Sequence, residues 1–245
     1  MTLPAAILAG GLATRVRPLT EKIPKALMEI EGRPFIDYQL ELLRSNGIEE
    51  VVLCLGFLGE KVREYVMGGN SHGLRVRYSF DGSRPLGTGG AIKKALPLLG
   101  EAFFVLYGDS YLPIDYRSVE SAFMQSQKPA LMIVFRNDGE LDASNVIYVE
   151  DDAALGRVAL YEKNSPRAGE MRYIDYGLSC CRAAEIAKVD ADSFDLADVF
   201  TRLSKEGKLA GVEVTERFYE IGSFSGIEDF RGHVKHVKHV KMSPP

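Results

Sequence analysis

Apolar residues fall along this chain in two alternating rhythms. Ala5 to Leu8 is a short apolar run that ends at Gly10-Gly11, the pattern of a buried strand feeding a loop. From Pro34, the stretch PFIDYQLELLRSNG sets Phe35, Ile36, Leu40 and Leu43 on one helical stripe and stops at Gly47, a residue suited to a helix C-cap. EEVVLCLG is a second buried strand, GEKVREYVMGG a short helix closed by glycines, and LRVRYSF an alternating strand. GGAIKKALPLLG is a helix, and AFFVLYGD is a buried strand that ends in a carboxylate. DYRSVESAFMQSQK and PALMIVF continue the rhythm with a helix and a strand. Such alternation predicts an α/β fold with a mostly parallel sheet and right-handed crossovers.

After about residue 137 the rhythm changes. SNVIYVED, GRVALYEK and MRYIDYGLSCC are strand-like pieces without clear helices between them. They predict a small antiparallel insertion over about 137–182, beside the main sheet. Helical patterns return at AAEIAKV and SFDLADVFTRLSKEG, then comes the strand LAGVEVT. No composition break demands a second domain, so residues 1–232 are expected to form one domain and 233–245 a tail. The repeat HVKHVKHVK at 233–241 predicts a frayed helical tail; a histidine metal site is the weaker reading, since His72 is the only other histidine.

Composition narrows the function classes. Of 245 residues, 46% are hydrophobic and 26% charged, as in an ordinary folded core. A formal net charge of -4 speaks against nucleic-acid binding by bulk charge. No apolar run approaches the roughly 20 residues of a membrane span, and the start MTLPAAILAGG lacks the basic segment of a secretory signal. Three cysteines, two of them adjacent, make neither a disulfide framework nor a metal-ligand spacing. A reducing cytoplasm is the expected location.

Within this acidic chain, ILAGGLATRVRPLTEKIPKALMEI delivers Arg15, Arg17 and Lys25 in one loop. Glycines after a strand let a ligand approach the backbone, and successive N–H groups form an anion nest. Pro18 and Pro24 prevent a helix directly after the glycines. Neither GxxxxGK[ST] nor GxGxxG is present, so this is neither common nucleotide loop. Taken alone, the loop could equally be a surface loop with solvated cations.

LAGGLATRVRPLTEKIPKAL resembles the signature LxGGxGTRLxPLTxxxPKxL of sugar-1-phosphate nucleotidyltransferases. Leu8, Gly10, Gly11, Thr14, Arg15, Pro18, Leu19, Thr20, Pro24, Lys25 and Leu27 fall in register; Ala13 departs from the usual glycine. The likeness continues from GRPFIDYQLELL to FYEIGS. It implies a Rossmann-like three-layer α/β/α fold and a nucleoside triphosphate held by Leu8, Ala9, Gly10 and Gly11. By the same resemblance, LGTGGAIKKAL sets Gly87, Thr88 and Gly89 against the nucleotide base; on residues alone it is a glycine-rich turn.

Asp109 ends an apolar strand, and ligand sites of open α/β sheets gather at such carboxyl ends. It could instead cap the following turn. The resemblance makes it a ligand of Mg²⁺, with Glu220 of RFYEIGSF as the second carboxylate, where relatives most often carry Asp. A surface charge is the other reading of Glu220. The resemblance also implies a sugar-phosphate site. Lys163 would neutralise the phosphate, Glu162 would accept sugar hydroxyls, and Asp175, Gly177 and Asn145 would line the pocket. Exposed Glu-Lys neighbours are otherwise ordinary solvated residues.

The implied reaction joins an NTP and a sugar 1-phosphate into a nucleotide sugar and pyrophosphate. The attacking oxygen is already anionic, which agrees with the lack of a Ser-His or Cys-His constellation. Arg15, Lys25 and Asp109 are the expected catalytic residues. PLGTGGAIK most resembles the turn of short bacterial mannose- or heptose-1-phosphate guanylyltransferases, which implies GTP with a mannose- or heptose-type 1-phosphate. The alternative is a uridylyl- or thymidylyltransferase acting on N-acetylmuramate or hexose 1-phosphate. A catalytically dead nucleotide-sugar sensor is the rival from another class, against which Arg15, Lys25 and Asp109 are all present. A nicotinamide oxidoreductase lacks its glycine motif and the acidic residue expected after VVLCLG. No hexapeptide repeat follows, which argues against a fused acyltransferase. Oligomeric state is not legible.

Overall fold

The computed structural model describes residues 2–11, 20–137, 141, 143–152 and 155–242. The first half builds strands and helices in turn. β1 (Ala5–Ala9) is followed by the short pair β2 (Glu29–Ile30) and β3 (Arg33–Pro34), then α1 (Phe35–Ser45), β4 (Glu50–Leu55), α2 (Gly59–Met67) and β5 (Arg75–Phe80). Next come α3 (Gly87–Leu99), β6 (Ala102–Tyr107), β7 (Ser110–Tyr111), α4 (Tyr116–Ser126) and β8 (Ala130–Arg136). The second half adds β9 (Val146–Asp152), β10 (Leu155–Tyr161), β11 (Tyr173–Arg182), α5 (Ala183–Ala187), α6 (Leu196–Lys205), β12 (Leu209–Val214), β13 (Tyr219–Glu220) and α7 (Phe224–Met242).

The period of two along each strand divides the core. Val51, Leu53 and Leu55 of β4 face one side with Ile36, Leu40 and Leu43 of α1 and Val119 and Phe123 of α4. Val52 and Cys54 face the other side, with Ile92 and Ala95 of α3 and Phe200 and Leu203 of α6. Strands buried on both faces read as continuous apolar runs, and helices on both faces give three layers. A third cluster packs Ile227, Phe230 and Val234 of α7 against Phe35 and Tyr38 of α1.

The nine-stranded sheet has the order β5-β4-β1-β6-β11-β8-β12-β10-β9. β5, β4, β1 and β6 run parallel, and so do β8 and β12. β11 runs antiparallel between β6 and β8, with Leu178 opposite Leu106 and Cys180 opposite Leu131. The strands expected to lie beside the main sheet are therefore part of it, and one of them sits at its centre. Between Asp175 and Ser179 the β11–β8 register shifts, a bulge of the kind that re-aims side chains.

α7 also departs from expectation. The boundary drawn at residue 233 falls within the helix, where Val234 is buried and the His233 ring stacks on Tyr219 with centroids 4.3 Å apart. No helix among the described residues is long and apolar enough to cross a membrane.

Candidate active site

The carboxyl ends of β1, β4, β5 and β6 converge on a cavity of about 300 Å³. Leu8, Ala9, Gly10 and Gly11 form one wall, Gly87 and Thr88 another, and Lys25 and Asp109 one end. A side chain added at Gly11 would meet no described atom within 4 Å. Arg15 and Arg17, with Ala13 and Thr14, lie outside the described residues.

The glycines of LGTGG have a neighbour the sequence did not announce. A Cβ on Gly87, at φ +72, would lie 2.5 Å from the Phe194 carbonyl oxygen. One on Gly89 would lie 2.2 Å from the Phe194 ring, and one on Gly90 2.3 Å from the Asp192 carbonyl oxygen. Gly89 and Gly90 donate their N–H groups to the Phe194 carbonyl, and Phe194 donates back to the Leu86 carbonyl. The segment before α6 thus docks into the space these glycines leave. Gly87 and Thr88 still line the cavity, whereas Gly89 faces Phe194 and does not. Thr88 Oγ1 donates to Asp195 Oδ1 at 2.7 Å, and Asp195 also caps α6 by accepting from the Ala197 N–H at 3.0 Å. Burial opposes the charge of Asp195, but Thr88, Ala197 and Lys163 together hold its carboxyl below the ordinary value.

Asp109 follows β6, and its Oδ2 accepts from Lys25 Nζ at 2.8 Å. Lys25 opens a single helical turn after Pro24. The Asp109 carbonyl accepts from the Ile221 N–H at 2.9 Å, and Glu220 pairs with Ser110 across β13 and β7. Asp109, in the turn between β6 and β7, therefore adjoins β13, the strand that carries Glu220. The Gln39 side-chain amide donates to the carbonyls of Tyr107 and Ser110, at 2.9 and 2.8 Å, and so holds the turn that carries Asp109.

Beyond Asp109 lies a second cavity of about 410 Å³, lined by Asn145, Lys163, Asp175, Gly177 and Glu220. Tyr107 and Asp109 border both cavities. Asn145 Oδ1 accepts from the Asp175 N–H at 3.0 Å, and Asp175 Oδ1 from the Gly177 N–H at 2.9 Å. Gly177 has φ +95, which an L side chain rarely adopts. Burial pushes the Asp175 carboxyl above its usual value, against the Gly177 N–H, the Lys163 charge and the Tyr161 hydroxyl. Glu162 is not in this wall. It accepts from Ser165 Oγ at 2.7 Å and Lys205 Nζ at 3.0 Å, and these bonds hold its carboxyl below the ordinary value.

Residues 4–177 match the family described as Nucleotidyl transferase. The chain belongs to that family. One relative is a D-glycero-alpha-D-manno-heptose 1-phosphate guanylyltransferase of Campylobacter jejuni, 35% identical over 134 residues that span 55% of this chain and 58% of that protein. An N-acetylmuramate alpha-1-phosphate uridylyltransferase of Caulobacter vibrioides is 30% identical over 222 residues, 89% of this chain and 91% of that protein. Other curated relatives are matched over as little as 41% of their length. Among solved structures, HddC from Yersinia pseudotuberculosis, crystallised with GMP-PN, superposes with a TM-score of 0.78 at 24% identity, covering 95% of this chain and 100% of that one. That likeness is one of fold.

In this nucleotidyl transferase, several site residues escaped the reading of the sequence. Asp81 also lines the first cavity; burial raises its carboxyl pKa, against the Leu86 N–H and Lys94. It follows the end of β5 as Asp109 follows the end of β6, so the argument from strand ends could have found it. Arg217 and Tyr219 of the second cavity carry no such signal.

No group of three or more His, Cys, Asp or Glu among the described residues could hold a metal alone. Asp109 and Glu220 are hard oxygen donors on one cavity wall. That donor set fits an ion that takes one or two carboxylates and completes its shell with phosphate oxygens and water.

Proposed function

We propose that this nucleotidyl transferase joins a nucleoside triphosphate to a sugar 1-phosphate, giving a nucleotide sugar and pyrophosphate. The observation that carries the reading is the junction of two cavities at Tyr107 and Asp109, with Lys25 on Asp109 beside it. The first cavity takes the nucleotide and the second the sugar phosphate. An oxygen of the sugar phosphate attacks the α-phosphorus, the bond to the β-phosphate bridging oxygen breaks, and pyrophosphate leaves in line. The attacking group is anionic from the start, so no general base is needed. Catalysis is then alignment plus charge neutralisation at the α-phosphate.

Lys25 supplies positive charge at the α-phosphate, and Arg15 holds the leaving phosphates. Lys163 neutralises the sugar phosphate, while Asn145, Asp175 and Gly177 shape its pocket. Asp109 and Glu220 would hold Mg²⁺. When bound, that ion neutralises phosphate charge and orients the leaving group. The use of nucleoside triphosphates suits a cytoplasmic enzyme.

The turn LGTGGA and the Campylobacter relative support GTP with a mannose- or heptose-type 1-phosphate. A second reading, UTP with N-acetylmuramate 1-phosphate, is supported by the Caulobacter relative, which is matched over 91% of its length. The test is pyrophosphate release from GTP, UTP, dTTP, CTP and ATP against mannose, heptose, glucose and N-acetylmuramate 1-phosphates. Fastest release with GTP and a manno-configured partner is the expected result. Preference for UTP or dTTP sinks the guanylyl assignment alone; release with no pair sinks the whole reading.

A further inference from the structure

Thr88 lines the first cavity and Lys163 the second, yet one carboxylate lies against both. Asp195 sits at the N-terminus of α6 and lines neither cavity. Its Oδ1 accepts from Thr88 Oγ1 at 2.7 Å, and its Oδ2 lies 3.9 Å from Lys163 Nζ. The Thr88 hydroxyl also accepts from the Leu196 N–H at 2.8 Å. That hydroxyl is therefore committed as donor and as acceptor, and the wall it forms is fixed from α6.

The Lys163 contact differs in kind. At 3.9 Å the pair is within electrostatic reach but too long for a hydrogen bond. The Lys163 charge also opposes the effect of burial on the Asp175 carboxyl. The Asp195 carboxylate thus attracts the ammonium without consuming its N–H donors. A lysine so held keeps three donors for a phosphate.

We infer that Asp195 is a positioning residue for the transfer: through Thr88 it fixes the turn that faces the nucleotide, and through its charge it holds Lys163 toward the sugar phosphate. One carboxylate thereby aligns the two substrates against each other. The inference rests on the reading of the two cavities given above.

Two substitutions separate the two arms. Asp195→Asn keeps a neutral acceptor for Thr88 and Ala197 but removes the charge facing Lys163. Pairs of this exposure are modest, so the KM for the sugar 1-phosphate should rise about 3–5-fold, with the KM for the nucleotide unchanged. Thr88→Val keeps the charge and loses the hydroxyl; it should raise the nucleotide KM and leave the sugar-phosphate KM in place. With Lys163→Met as background, Asp195→Asn should have no further effect on the sugar-phosphate KM, an outcome that a merely structural role would not produce.

The inference is overturned if Asp195→Asn raises both KM values together with a loss of Tm, if its effect persists in the Lys163→Met background, or if neither KM moves. A wild-type protein that releases no pyrophosphate with any substrate pair overturns the cavity assignment along with it. Wild-type turnover with an inert Asp195→Asn overturns this inference alone.

Discussion

Lys25 Nζ and Asp109 Oδ2 lie 2.8 Å apart at the junction of the two cavities, with side-chain exposures of 17% and 25%. Each is the other's partner before any phosphate enters, so the two groups that would handle the triphosphate are held together by their own charges. Replacing Lys25 by Ala should lower kcat/KM about 10²–10³-fold, the scale of one lost charge-stabilising group. A partly exposed pair contributes about 0–1 kcal/mol to stability. For a chain of this size Tm should therefore fall by no more than about 4 °C. Near-normal turnover by the purified variant would remove Lys25 from the mechanism.

Asp109→Asn should abolish pyrophosphate release at ordinary Mg²⁺, with partial recovery at high Mg²⁺ or with Mn²⁺. Glu220→Gln should move the metal requirement in the same direction but less far, since its side chain is one methylene longer than the Asp usual in relatives. Titrating activity against metal for both variants checks this. Wild-type metal dependence in both would show that neither carboxylate is a ligand.

Gly89→Ala pits two effects against each other. Ala improves helix propensity by up to about 1 kcal/mol. Its Cβ would also sit 2.2 Å from the Phe194 ring, and overpacking costs typically about 1–3 kcal/mol. Sterics should win, so Tm should drop and the nucleotide KM should rise as the turn shifts. Adding Phe194→Ala should restore part of both. A Gly89→Ala protein at least as stable as the parent would mean that Phe194 does not fill that space.

Stability should also respond to pH through α7. Burial, and then the neighbouring His236, hold the His233 imidazole below its usual value. The unfolded chain therefore takes up this proton before the folded one does. The contribution is fully present above about pH 6.5 and is lost as the pH falls through the depressed folded value. Denaturant titrations at stepped pH should show this loss in the wild type and lack it in His233→Phe. An identical pH profile in the two proteins counts against it.

Local signals were legible where local chemistry decides structure. The stripe Phe35, Ile36, Leu40 and Leu43 became the buried face of α1, and the carboxylate at the end of AFFVLYGD is on the cavity wall. β11 was not placed, because period-two alternation looks the same in an edge hairpin and at a sheet centre. Only the pairing of Leu178 with Leu106 and Cys180 with Leu131 distinguishes them. The glycine turn was found, but not what fills it. A sequence records the missing side chain; it does not record the partner, and Asp195 is 107 residues from Thr88. Glu162 was singled out beside Lys163, yet both fall just past the end of β10, where no strand alternation sets their direction, and Glu162 turned to Ser165 and Lys205.

The place of β11 has a consequence for how the chain is made. β8 ends at Arg136, but its neighbours are β11, which begins at Tyr173, and β12, which begins at Leu209. During synthesis the apolar β8 therefore emerges with neither edge paired and must wait for most of the remaining chain. β5, β4, β1 and β6, by contrast, have all emerged by Tyr107 and can assemble among themselves. Those four strands can thus pair early, but the wall that Thr88 forms waits for the segment before α6, and the second cavity closes only when β11 slots in beside β6. A nascent chain stalled between these points would present Leu131, Ile133 and the open edge of β6 to whatever chaperone or neighbour is at hand.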